Sequence, residues 1–427
     1  MESIIDKTVN LDECVKCSLC LAYCPVAAVN PKFPGPKNIG PDAQRLRLEG
    51  IKFDSSLLSY CSNCKTCEIV CPSGVKITNM ILQARGKGIN PGNSEDLKEK
   101  AVRPTLRHNL RDYILGREEY LGKFAMIWPG FVNSVLKLRI MRSLLEKLIG
   151  LSSQAALPSY HRGIVAKNGP LANTIVKGKK QIVYFPGCYA TYNDASIGRL
   201  AIAILEHNGY EVIVPKFNCC GVPLEANGHF SEANENAVKN LKIMEPFLKA
   251  DLPIITTCTS CGLALKEEYP RVKAPGAQRI GQQTYDLFEF LWKLHEQGEL
   301  CENFHPVRAS LGYHAPCHLK AQGIGTPSVR ILQLIPGISV KNLDSGCCGL
   351  SGSYGFKEEK HPYSIQIGKP LFERVRQGKK RQDFEEITTE CGVCQVQIEY
   401  NSGVKTRHPV WFLMKSYNET LYGNRRE

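Results

Sequence analysis

CVKCSLCLAYCP (Cys14–Pro25) and CSNCKTCEIVCP (Cys61–Pro72) decide how the front of this chain folds. The second begins 47 residues after the first, and both have the spacing C-x2-C-x2-C-x3-C-P. An iron at a cube corner needs a thiolate. Three closely spaced cysteines wrap one cube, and the fourth turns away to reach the other. The pattern predicts two 4Fe-4S clusters, one on Cys14, Cys17, Cys20 and Cys71 and one on Cys61, Cys64, Cys67 and Cys24. Pro25 and Pro72 are placed to set the turn after each fourth ligand. A single C-x2-C pair would leave structural zinc open; two complete runs ending in Cys-Pro do not.

The segment between the runs, VNPKFPGPKNIGPDAQRLRL, is rich in Pro and Gly and long for a minimal two-cluster domain. It predicts a helical ferredoxin-type two-cluster domain over residues 1–90 rather than a compact β-rich one. Arg45 and Arg47 are candidates for hydrogen bonds near a cluster, or are plain surface cations.

The chain has 427 residues, of which 19 are cysteine, an odd number. The first 25 residues lack a basic-then-apolar pattern and predict no export. A disulfide framework is then a poor reading, and metal or redox-cofactor ligation a better one. No run of about 18 apolar residues occurs, so a membrane-spanning helix is not expected. Charged residues at 22% and hydrophobic residues at 43% exclude disordered and low-complexity scaffolds.

Ten more cysteines fall in an internal duplication. IVYFPGC (Cys188), NCCGVP (Cys219, Cys220) and PIITTCTSC (Cys258, Cys261) form the first copy. LGYHAPCH (Cys317), SGCCGLSG (Cys347, Cys348) and EEITTECGVC (Cys391, Cys394) form the second. Equivalent cysteines lie 128 to 133 residues apart, which implies two similar folding units, over 181–300 and 301–427. Each reads as α/β. ASIGRLAIAILEHNGYEVIVP is helix, Gly stop, strand; LPIITTCTSC is a buried strand ending in a cysteine pair. Cysteines at strand ends before helix N-termini lie where α/β folds collect ligands. The fold class is therefore α+β multidomain: a helical two-cluster domain followed by two homologous α/β cysteine-rich repeats.

For these ten cysteines a further iron–sulfur cluster, zinc and redox-active dithiols all stay open. Five thiols per unit exceed what zinc needs, and adjacent cysteines fit a simple tetrahedron poorly, which favours iron–sulfur. His314 and His318 flank Cys317 and are candidates for ligands, proton relays or backbone caps. The remaining thiol, Cys301, reads as inert.

Net charge is +13, and residues 101–181 hold 14 Lys/Arg against 4 Asp/Glu. The excess is local, within a connector expected over 91–180. There SVLKLRIMRSLLEKLIG projects as one basic amphipathic helix, with Ile140, Leu144, Leu148, Met141, Leu145 and Leu138 on one face and Trp128 near its start. Such a helix suits an anionic membrane interface, or else packs on a neighbouring surface. No aromatic-plus-basic module supports nucleic-acid binding. Asn90–Lys100 reads as a polar linker, and the tail after Lys415 as loose.

Tandem cubane motifs followed by two repeats bearing Cys-Cys-Gly resemble the ferredoxin-plus-CCG-domain family. That family includes iron–sulfur subunits of glycolate oxidase and lactate-utilisation complexes and catalytic heterodisulfide reductase subunits. Asn30–Leu48, Tyr60–Ile77, Cys219–Gly228, Cys347–Glu359 and Glu390–Glu399 carry the likeness. Asn30–Leu48 favours the iron–sulfur subunits of anaerobic glycerol-3-phosphate dehydrogenases. The resemblance implies electron transfer from flavin-containing dehydrogenase subunits to quinone in anaerobic respiration. It also implies a peripheral position on the cytoplasmic side of the cell membrane. Alternatives from the same family are a disulfide-reducing catalytic subunit and a lactate or glycolate oxidase subunit. A structural alternative is a pair of zinc-stabilised docking repeats.

Overall fold

The computed structural model describes residues 11–51, 54–89, 106–163, 175–176 and 178–417. The polar linker expected at Asn90–Lys100 and the last ten residues lie outside them.

Among the described residues the N-terminal part contains helices and no strand. Short α1 (Leu19–Ala22) and α3 (Thr66–Ile69) lie within the cysteine runs and carry Cys20 and Cys67; α2 (Ala43–Leu48) and α4 (Ile77–Ile89) supply the frame. Val26, Phe33, Ile39, Leu58, Met80 and Ile81 form its small core, into which Cys20, Cys24 and Cys67 pack. Tyr354 and Ile367, from far along the chain, close that core. The domain is therefore seated on the second repeat rather than tethered to it. Arg45 bonds the Leu11 carbonyl (3.0 Å) and Asp42, and Arg47 bonds Gln44, so both arginines serve local structure.

The connector holds α5 (Leu106–Gly116), α6 (Glu118–Ala125), α7 (Pro129–Lys137) and α8 (Arg139–Ile149). The single amphipathic helix expected here is two helices. Leu138 has an extended backbone (ψ 123°) and separates α7 from α8. Its apolar face is split as well. Met141 and Leu145 are half-buried, whereas Ile140, Leu144 and Leu148 face outward. Two polar side chains of α8 are tied down: Arg142 bonds the Ala155 carbonyl, and Glu146 accepts from Ser153 Oγ at 2.8 Å. The buried guanidinium of Arg111 pins α5 to the second repeat through Glu359 (2.7 Å).

The first repeat runs β1 (Gln181–Phe185), α9 (Ala195–His207), β2 (Glu211–Ile213), α10 (Val222–Ala226) and α11 (Phe230–Lys249). It continues through β3 (Ile254–Thr256), α12 (Thr259–Leu263), α13 (Ala277–Gln283), β4 (Thr284–Asp286) and α14 (Leu287–Glu296). Its strands form a parallel sheet in the order β2-β1-β3-β4. β1 is buried along its whole length, as expected for a parallel strand covered on both faces.

The second repeat copies this plan with β5 (Ala309–Tyr313), α15 (Cys317–Ala321), α16 (Pro327–Gln333), β6 (Ile338–Asn342) and α17 (His361–Lys380). β7 (Glu386–Thr388), α18 (Gly392–Ser402), β8 (Thr406–Arg407) and α19 (Val410–Tyr417) complete it. The order β6-β5-β7-β8 is the same topology, again parallel. The repeats exchange their last helices: α19 packs on α9 and α14 on α16. Leu200, Leu291, Leu311, Ile331 and Leu413 thus share one core, which makes the two repeats a single body.

Candidate metal centres

In both N-terminal runs the chain turns through the left-handed region at the same two places. Lys16 and Ser18 (φ 56° and 65°) match Asn63 and Lys65 (φ 57° and 62°). None is glycine, and each such residue costs about 1–2 kcal/mol. Alternating right- and left-handed residues make a concavity of inward N–H groups, which suits an anionic cluster.

Cys14, Cys17, Cys20 and Cys71 face one hollow of about 330 Å³ including its mouth. Burial first, then Cys14, Cys17 and Cys71, raise the Cys20 thiol. Cys24 belongs to the other group: burial pushes it up to about 12, with Cys64 and Cys61 adding to the effect. Crowded thiols in this state give up protons to a cation, which fits a thiolate-bound metal. Backbone N–H groups already donate to the two crossing sulfurs, Ala27 to Cys24 (3.5 Å) and Val75 to Cys71 (3.4 Å).

Nine of the ten repeat cysteines open onto one cavity of about 990 Å³, counting its mouth. Cys347 lies behind, hydrogen-bonded to Cys317 and Cys348. Each repeat contributes in the same way. The Cys-Cys pair ends in a left-handed glycine, Gly221 (φ 100°) or Gly349 (φ 84°). A Cβ on Gly349 would lie 2.0 Å from the Ser364 carbonyl oxygen, so that turn admits glycine alone. The second cysteine pair starts at a strand end, at the N-terminus of α12 or α18. In each repeat the first cysteine of the Cys-Cys pair accepts from its two sulfur neighbours, which pulls Cys219 and Cys347 toward the thiolate. Cys348 and Cys394 Sγ lie 3.2 Å apart.

The N-terminal domain reaches this cavity directly. Ser62 and Asn63, between Cys61 and Cys64, line it. Burial first, then Cys347, raises the Cys64 thiol to about 11, and Cys347 packs against the core of the front domain. Arg85 donates to the Cys61 carbonyl and the Ala226 carbonyl, both at 2.9 Å, and so joins the cluster loop to the first repeat. Buried Lys65 bonds Asn79 (2.9 Å) and lies 3.9 Å from Glu268.

The two histidines beside Cys317 have different surroundings. His318 Nε2 donates to the Asn63 carbonyl (2.9 Å), and its Nδ1 accepts from Ser260 (2.8 Å), so both nitrogens are used. His314 is buried, and its Nε2 has no hydrogen-bond partner. One of its ring nitrogens lies within 4.8 Å of both Cys348 and Cys394 Sγ. Burial holds its pKa down to about 4, which leaves the ring neutral at pH 7.

Residues not anticipated from the sequence complete the cavity. Glu118 lines it, its carboxyl raised to about 8 by burial and then by Cys219 and Cys258. Glu119 Oε2 accepts from the Cys219 amide (2.7 Å), and Asn240 binds the Asn218 carbonyl (3.1 Å), clamping the Cys-Cys turn. GREEY reads as an ordinary helix start, and nothing in it signals a distant cysteine loop. Cys301 lies apart from the cavity, 3.3 Å from His207 Nε2.

Residues 10–75 match the 4Fe-4S dicluster domain, and residues 182–266 and 311–399 each match the Cysteine-rich domain. Over 411 residues the chain is 33% identical to a subunit of the anaerobic glycerol-3-phosphate dehydrogenase of Escherichia coli strain K12, covering 95% of this chain and 98% of that one. The chain belongs to this family of iron–sulfur subunits. Within it, the probable glycolate oxidase iron-sulfur subunit of Bacillus subtilis strain 168 is 26% identical, over 81% of this chain and 80% of that one. A subunit of the dihydromethanophenazine:CoB--CoM heterodisulfide reductase of Methanosarcina mazei is 23% identical, over 80% and 78%. The dicluster domain, with its eight cysteines, implies two 4Fe-4S clusters. The family also makes the chain an iron–sulfur subunit of a CCG-type oxidoreductase, and its relatives are named as subunits of dehydrogenase and oxidase complexes.

Proposed function

We propose that this chain carries electrons from a flavin-containing dehydrogenase acting on glycerol 3-phosphate toward membrane quinone in anaerobic respiration. Cys14, Cys17, Cys20 and Cys71 hold one cubane, and Cys61, Cys64, Cys67 and Cys24 the other. Cys188, Cys219, Cys220, Cys258 and Cys261 hold a further iron–sulfur centre, and Cys317, Cys347, Cys348, Cys391 and Cys394 its counterpart. When bound, these groups supply one-electron transfer, and the protein sets their spacing and surroundings.

One observation carries the reading: the Ser62–Asn63 loop borders the same cavity as the cysteines of both repeats. Cys347 packs against the core of the front domain, which makes the second repeat the nearer station for electrons from that domain. The buried contacts of Arg85, Lys65 and His318 hold that junction fixed.

The connector supports a peripheral place on the cytoplasmic side of the membrane. Trp128 (72% exposed), Phe131 (68%) and Ile140 (86%) project outward, with exposed Lys137, Arg139 and Lys147 nearby. Apolar side chains enter the headgroup boundary while cations meet anionic lipid. Among the described residues no helix is long and apolar enough to cross a membrane.

Iron, sulfide and zinc content, with low-temperature EPR on anaerobically purified protein, tests the reading. About 12 to 16 irons per chain are expected if the repeats carry clusters. About eight irons with zinc would reduce the repeats to a docking scaffold. Membranes lacking the chain are expected to lose glycerol 3-phosphate-dependent quinone reduction; unchanged reduction overturns the assignment.

The open, thiol-lined cavity favours one second reading, a disulfide-reducing centre. Turnover of a disulfide with a reduced dye by the fully loaded chain alone would select it.

A further inference from the structure

The two repeats match cysteine for cysteine, yet they differ at one position that faces the sulfurs. Counting from Cys188 and Cys317, Phe185 of the first repeat corresponds to His314 of the second. Phe185 is fully buried in the cluster containing Cys219, Cys220 and Cys261, with its ring against Phe217 at 4.8 Å. An aromatic hydrocarbon there offers a metal nothing. His314, buried just past the end of β5, offers a nitrogen lone pair.

Three features set that ring beside the thiols. The backbone N–H of His314 donates to the Thr388 carbonyl (3.1 Å), which holds the residue against β7, the strand that leads to Cys391. A ring nitrogen sits within 4.8 Å of both Cys348 and Cys394 Sγ, themselves 3.2 Å apart. Among the described residues nothing hydrogen-bonds Nε2, although it is buried. Leaving such an atom buried and unpartnered is costly, and a bond to a metal removes that cost. A metal with nitrogen and sulfur bonds of about 2.0–2.3 Å gathers donors at roughly this spacing. His318 cannot serve instead, because Asn63 and Ser260 occupy both its nitrogens.

We propose that the centre of the second repeat is a mixed nitrogen–sulfur site in which His314 ligates metal together with Cys348 and Cys394, whereas the first repeat's centre is all-thiolate. This rests on the reading that the repeats hold metal centres. Imidazole is neutral, so its centre carries less negative charge than an all-sulfur one and takes an electron more readily; histidine ligation raises the potential of iron–sulfur centres in the same way. The more oxidising station is then the one whose Cys347 packs against the core of the front domain. Electrons leaving the front domain meet the better acceptor first, and the two repeats differ in role despite their shared fold.

The test is pulsed EPR on the anaerobic full chain grown with 15N-histidine, after metal content has been measured. Strong 15N coupling is expected on the second-repeat signal, lost in His314→Phe and kept in His318→Gln. In His314→Cys the midpoint of that signal shifts to lower potential. No coupling in the wild-type protein, or coupling unchanged in His314→Phe, overturns the proposal while leaving the cluster reading intact. If the repeats carry zinc, the cluster reading fails, and X-ray absorption at the zinc edge decides the ligand. One nitrogen in the wild type that is absent from His314→Cys supports His314, and sulfur alone in the wild type overturns it. Repeats that load no metal overturn both.

Discussion

The imidazole of His318 donates to the backbone carbonyl of Asn63, 2.9 Å away, across 255 residues of sequence. Asn63 stands between Cys61 and Cys64 in a left-handed conformation, and His318 follows Cys317 directly. One side chain therefore fixes the distance between a cubane loop and a cysteine-rich repeat. A second bond, from Ser260 to Nδ1 at 2.8 Å, brings in the other repeat and sets the neutral tautomer with the proton on Nε2. His318→Phe strips both bonds and leaves the carbonyl of buried Asn63 and the half-buried Ser260 hydroxyl without this partner. The expected cost is about 1–3 kcal/mol in unfolding free energy, with cluster content retained. Electron delivery from the front domain to the repeats should also slow, as read by stopped-flow reduction. An unchanged denaturation midpoint and rate would show the contact to be incidental.

The crossing of the two N-terminal runs predicts unlike losses from alike substitutions. Cys71→Ser should remove about four irons and abolish the signal of the Cys14–Cys17–Cys20 cluster. Cys24→Ser should instead remove the cluster on Cys61, Cys64 and Cys67. The thiol neighbourhoods, Cys71 beside Cys20 and Cys24 beside Cys64, underlie this expectation. If each substitution abolishes the cluster of its own run, the ligands do not cross.

The repeats were legible because five cysteines recur in register and the helix–strand pattern recurs around them. The helical front domain was legible from motif spacing and from a linker rich in Pro and Gly. Less local features were not. His314 and His318 are one helical turn apart in sequence, yet one faces sulfurs and the other a distant carbonyl; only tertiary contact separates them. Glu118 and Glu119 look like any acidic helix start, and their partners lie about 100 residues on. The break at Leu138 escaped because a 3.6-residue periodicity carries no mark of a single extended ψ. The exposed Ile140–Leu144–Leu148 stripe and the packed Met141–Leu145 pair consequently read as one face.

Asp286 caps α14 by accepting from the Phe288 amide (2.9 Å) and is almost wholly buried. Burial, the leading cause, raises its carboxyl to about 7, against the pull of that amide and of nearby Lys266. A raised acid binds its proton more tightly in the folded state than in the unfolded chain. Its neutral form therefore stabilises the fold at low pH, and that contribution is lost as pH rises from the ordinary carboxylate range through 7. Asp286→Asn keeps a capping oxygen and removes the charge. It should match the wild type near pH 4 and exceed it at pH 8 by up to about 4 kcal/mol. Denaturation curves at the two pH values measure the difference, and a variant less stable than the wild type at pH 8 contradicts the account.

The outward-facing side chains around α7 and α8 predict a measurable lipid preference. Trp128 and Phe131 sit on the turn into α7 and its first turn, and neither is buried. Moving a side chain of this size out of water is worth about 1.5–3 kcal/mol when complete. Trp128→Ala with Phe131→Ala should therefore lower partitioning onto anionic vesicles by at least about tenfold. Their exposure means the fold should not suffer, so the unfolding midpoint should stay where it is. Lys137, Arg139 and Lys147 add a separate, salt-sensitive component of about 1 kcal/mol per cation near an anionic surface. Replacing the three with Gln should weaken binding to anionic vesicles and leave binding to neutral ones unchanged. Flotation at low and high salt separates the two contributions. Equal flotation of wild type and both variants would assign the exposed stripe to a protein partner rather than to lipid.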